Sequence, residues 1–132
     1  MRKDTPSGAV GAWRPGLGPQ ARPAGLCLTR QNVPTFDRSK VGSAEGVAQG
    51  GYVLAEASSG KPEVILIGTG SEVQIAMAAR DRLEADGTPT RVVSMPCAEW
   101  FRGQDIAYQH TVLPPDVQPR VSVAAAESQA WH

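Results

Sequence analysis

The chain has 132 residues, with 13 basic and 13 acidic side chains and a formal net charge of zero at pH 7. That length suits one domain with a modest core, and the balanced charge gives no electrostatic basis for binding nucleic acid or a membrane surface. No apolar run approaches the length of a membrane span and the first residues lack a continuous apolar leader, so the expected location is cytoplasmic.

Residues 1–26 carry four prolines and five glycines, and Pro15, Gly16, Gly18 and Pro19 would break any helix begun at Trp13. They read as a poorly ordered arm, followed by a linker over 27–45 and a folded domain over 46–132. Tyr52-Val53-Leu54 is a short predicted strand, and Ser58-Ser59-Gly60-Lys61-Pro62 a turn. The clearest pattern is EVILIGTGSEVQIAMAARDRLEADG, residues 63–87. Val64 to Ile67 form a continuous apolar run, as expected of a strand covered on both faces. Gly68 and Gly70 suit a tight turn because glycine reaches positive φ without steric cost. Ser71 is the expected N-cap, with Gln74 completing a capping box. Val73, Ile75, Ala76, Met77, Ala79 and Leu83 form a broad apolar arc on a helix of about 15 residues. Arg80 interrupts the arc, its stem lying along it while the charge reaches water. Asp86-Gly87 supplies the stop.

A second strand is predicted at Arg91–Met95, ended by Pro96 and parallel to the first through the intervening helix. One or two short helices around Trp100, Phe101, Ile106, Tyr108 and Val112 follow, stopped by Pro114-Pro115. A third strand is expected over 120–126. The fold class is α/β: an open, mostly parallel sheet between helical layers.

Several residues invite a chemical reading. Gly68-Thr69-Gly70-Ser71, at the start of a helix, has the form of an anion loop, in which backbone N–H groups and the helix dipole face a phosphate. Against this, the third glycine of a dinucleotide fingerprint is replaced by Val73, and no acidic residue ends the following strand. The alternative is a plain strand-to-helix connector. Cys27 and Cys97 are far apart and read as small buried hydrophobes; His110 and His132 lack metal-site spacing. Gly103 separates Glu99 from Asp105, so nothing fixes them as an acid/base pair. Trp100, Phe101 and Tyr108 suit packing on the sheet. Glu127 follows the third strand at the carboxyl end, where sites often lie, and serves equally well as a solvated cap.

Taken in order, LTRQNVP (28–34), GGYVLAE (50–56), VILIGTGSEVQIAMAA (64–79), RVVSMPCAEWFRGQDIAYQHTVLP (91–114) and RVSVAAAES (120–128) resemble the end of transketolase. The resemblance covers residues 26–131. Ala12-Trp13-Arg14 is similar to the family's preceding helix, whereas the arm up to Leu26 departs from it.

The resemblance implies a transketolase C-terminal domain with a few residues of the preceding pyrimidine-binding domain. The family transfers a two-carbon ketol unit between sugar phosphates in the pentose phosphate pathway, using thiamine diphosphate and Mg2+. Those cofactors are held by two other domains, which are not represented here, and no Gly-Asp-Gly motif is present. The thiazolium ylid does the carbanion chemistry. The chain is therefore expected to bind neither cofactor alone and to depend for activity on a chain carrying the missing domains. By the same resemblance Arg30, in the TRQ string, is the phosphate-binding residue at the active-site mouth, a role that suits a guanidinium fork. The matching loop at Gly68–Ser71 lies outside the family's catalytic centre. The resemblance also implies a domain cut short after Trp131, with an exposed sheet edge and a tendency to self-associate. A stand-alone phosphate or nucleotide module and a remnant without function are the competing readings.

Overall fold

In the computed structural model, residues 13, 23, 25–28, 30–37 and 39–124 are described. Four strands, β1 (Tyr52–Ala55), β2 (Val64–Gly68), β3 (Thr90–Ser94) and β4 (Arg120–Val123), form one sheet in the order β1-β3-β2-β4. β2 runs parallel to both β3 and β4, with Leu66 opposite Val92 on one side and Val121 on the other. β1 is antiparallel to β3. Its register slips between Val53 and Ala55, and there the Leu54 carbonyl accepts the Gly42 N–H at 2.7 Å. The expected open, mostly parallel sheet is the observed one.

Alternation along the strands divides the core into two layers. On one face Leu54, Leu66 and Val92 pack beneath helix α1 (Val73–Ala85), through Val73 and Ala76. On the other, Ile65, Ile67, Val93 and Met95 meet helices α2 (Ala98–Arg102) and α3 (Ile106–Val112), through Phe101 and Val112. The Phe101 and Tyr108 rings meet edge to face at 6.2 Å, so the expected aromatic packing is observed at these two residues. Phe36 and Val41, in the segment read as linker, pack against the first layer.

Helix α1 differs from the sequence reading in three ways. Ser71 is not its N-cap: Gly70–Glu72 forms a 3-10 turn ahead of the helix, capped by extended Thr69, and the Ser71 hydroxyl donates to Glu72 Oε1 at 2.7 Å. The i→i+3 bonds of that turn, including Val73 N–H to the Gly70 carbonyl, satisfy donors that a capping box would otherwise serve. Ile75 is 54% exposed, because the inward stripe runs through 73, 76, 77, 80, 83 and 84, on the opposite side from it. Arg80 lies on that stripe, partly exposed, and its guanidinium is engaged by backbone carbonyls as well as facing water. Its Nε donates to the Thr90 carbonyl at 3.1 Å and its Nη2 to the Glu56 carbonyl at 2.6 Å.

Glu84, four residues on, completes the same corner. Its carboxylate accepts from the Ser58 hydroxyl, from the Thr90 N–H at 2.9 Å and from the Ser58 N–H at 3.1 Å. The Ser58 hydroxyl, then the two backbone donors, hold its pKa down from an ordinary 4.5 to about 2, with Arg80 adding a smaller pull. A carboxylate depressed in the folded state contributes stability that is fully present above 4.5 and is lost as pH falls from there towards 2. Glu84→Gln is therefore expected to lower stability at pH 7 and to narrow its gap from the parent below pH 4.5, as read by urea unfolding across pH 7 to 3.

Among the described residues β4 lies at the sheet edge and ends at Val123; residues 125 and 126 of the longer predicted strand lie outside them. Val121 is 52% exposed and Val123 half-buried. Arg120 ties the start of β4 to the preceding turn, donating to the Val117 and Pro114 carbonyls at 3.0 and 2.7 Å.

Candidate functional site

β2, β3 and β4 are parallel, so their carboxyl ends share one rim of the sheet, where ligands of open α/β folds usually bind. The Gly68–Ser71 loop lies on this rim. Its first glycine serves packing and not turn geometry: Gly68 does not adopt positive φ, and a Cβ there would come within 2.9 Å of Val73 Cα. Gly70 is the residue at positive φ, 57°, and its missing Cβ would point into open space. Both hydroxyls of the loop are engaged within the protein. Thr69 Oγ1 donates to the Met95 carbonyl at 3.0 Å, fastening the end of β2 to the end of β3, and Ser71 is buried with its hydroxyl on Glu72. The first helical turn thus already carries a carboxylate, which opposes a second anion there.

Arg30 is exposed in the linker, outside any helix or strand. Cys27 in the same stretch is exposed, contrary to the expectation of a buried thiol: among the described residues it joins neither layer of the core. Cys97 is half-buried at the start of α2. Asp105 caps α3, accepting from the Tyr108 N–H at 2.7 Å, while Glu99 lies on α2 in an exposed position. Their placement on separate caps and helices gives no acid/base pair. His110 is exposed on α3; His132 and Glu127 lie outside the described residues.

The polar centre that sequence reading missed is at the opposite, amino rim of the parallel strands. Arg91, in β3, grips Glu56 with both ends of its fork, Nε to Oε1 at 2.9 Å and Nη2 to Oε2 at 2.7 Å. Its Nη1 donates to the Thr111 and Val112 carbonyls at 2.8 and 2.9 Å, at the C-terminus of α3, where a cation also complements the helix dipole. Together with Arg80 and Glu84 this cluster joins β1, β3, α1 and α3. Each charge is matched within the protein, which marks a structural clamp and leaves little for a ligand. The available signal was an arginine inside an apolar strand, and an Arg-x-x-x-Glu pair on the inward stripe of α1.

Among the described residues no three His, Cys, Asp or Glu side chains converge to hold a cation. The described residues thus offer no converging donor set for Mg2+, and both hydroxyls of the rim loop are engaged within the protein.

Fold and rim geometry define an open α/β domain whose strongest polar interactions serve its own architecture. The comparisons give its kinship. Residues 50–132 match the transketolase-like TK C-terminal domain, and the chain belongs to the transketolase family. It is 48% identical to the transketolase of Aquifex aeolicus over 121 residues and 50% identical to that of Mycobacterium leprae over 126. In both cases 92% of this chain is aligned, against 17% and 18% of the relative. Among solved structures, transketolase from Leishmania mexicana superposes with a TM-score of 0.86 at 36% identity, covering 99% of this chain and 18% of that one. Pichia stipitis transketolase in complex with sedoheptulose 7-phosphate gives 0.85 at 33% identity, covering 98% and 18%. The chain thus spans about a fifth of the length of the relatives it matches. No helix among the described residues is long and apolar enough to cross a membrane.

Proposed function

We propose that this chain is the C-terminal domain of a transketolase and takes part in two-carbon ketol transfer between sugar phosphates only together with thiamine diphosphate-binding domains. The observation that carries the reading is the joint match in sequence and fold: 48–50% identity along 92% of the chain, with a TM-score of 0.86 to a family structure. In this reading the domain occupies 46–132, with a linker over 27–45 and an arm over 1–26. The partner is a polypeptide carrying the cofactor domains, and the setting is the cytoplasmic pentose phosphate pathway. Thiamine diphosphate, when bound in such an assembly, supplies the carbanion chemistry.

Arg30 is the chain's contribution to substrate binding, its guanidinium fork gripping the phosphate of a sugar phosphate. The Pichia stipitis relative, solved with sedoheptulose 7-phosphate, supports sugar phosphates as the substrate class. The Gly68–Ser71 loop is a connector. Thr69 on the Met95 carbonyl and Ser71 on Glu72 support this over a nucleotide-binding module.

The test has two arms. The purified chain, given thiamine diphosphate and Mg2+, is expected to show no saturable heat in calorimetry and no ketol transfer from xylulose 5-phosphate to ribose 5-phosphate. Residues 27–132, grafted in place of the matching segment of a full-length transketolase, are expected to support transfer. Cofactor binding at micromolar concentration by the isolated chain would overturn the proposal, as would a folded, cofactor-loaded graft without activity.

A further inference from the structure

We draw no further inference here: the strongest candidate, the outer edge of strand β4 with the half-exposed Val121 on it, carries nothing because nothing in the structure shows what covers it.

Discussion

Arg91→Ala is expected to destabilise the fold by roughly 3 kcal/mol, the lower part of the range for removing one partner of a buried ion pair. The guanidinium is almost fully enclosed, with its side chain 9% exposed, and it makes four hydrogen bonds. Removing it strands the Thr111 and Val112 carbonyls at the end of α3 and leaves Glu56 without its counter-charge. Glu56 is 43% exposed, so water recovers part of that loss, which is why the upper part of the range is not expected. Arg91→Lys should regain only a fraction, because an ammonium cannot span both carboxylate oxygens and two carbonyls as the planar fork does. Urea unfolding of the three proteins is the check. A loss below about 1 kcal/mol for Arg91→Ala, the scale of an exposed pair, would show that the clamp is not structural.

Gly50→Ala should be comparably severe, about 2–5 kcal/mol, and the contrast with Gly70→Ala makes the reason visible. Gly50 has φ of 81°, and an added Cβ would lie 2.4 Å from both the Cys97 carbonyl oxygen and the Phe101 amide nitrogen. Those atoms are backbone at the start of α2, and the Gly50 carbonyl itself accepts the Cys97 N–H at 2.9 Å. Relief therefore requires moving α2 away from the turn at Gly50, in addition to the roughly 1–2 kcal/mol of a left-handed conformation. Gly70 has φ of 57° but nothing within 4 Å of the added atom. Gly70→Ala should cost only the conformational part, about 1 kcal/mol, and alter no thermal shift with nucleotides or sugar phosphates. Equal losses at the two positions would remove the packing argument. A nucleotide-dependent shift abolished by Gly70→Ala would favour a binding loop.

Much of this domain was legible from local patterns. The apolar run at 64–67, the helix after it and the parallel second strand follow from periods of about two and 3.6 residues and from turn chemistry, and all are observed. The Asp86-Gly87 stop holds as well, with Asp86 as the C-cap and Gly87 at φ of 85°. What escaped depends on three-dimensional neighbours. Ser71 had the right identity for a cap, but an interposed 3-10 turn took over its task. Ile75 looked inward on a broad arc, and only the sheet's position narrowed the stripe to exclude it. Arg80 read as a charge reaching water, and Glu84 and Arg91 drew no reading of their own, because their partners, Glu56, Ser58 and the carbonyls at the end of α3, are distant in sequence. Arg30 became a candidate solely through the family resemblance: an exposed arginine in a linker has no local signature of phosphate binding.

The proposal that Arg30 grips a substrate phosphate in an active centre built by other domains is tested in the graft into a full-length transketolase. Initial rates would be recorded with a phosphorylated aldose acceptor and with its unphosphorylated counterpart, for the graft and for its Arg30→Ala variant. Loss of one charge-assisted contact is worth roughly 1.5–3 kcal/mol, about a 10- to 150-fold change in binding. The predicted result is a rise of that order in KM for the phosphorylated acceptor, with KM for the unphosphorylated one and kcat for both little changed. Equal effects on the two acceptors, or none on either, would contradict the assignment of Arg30.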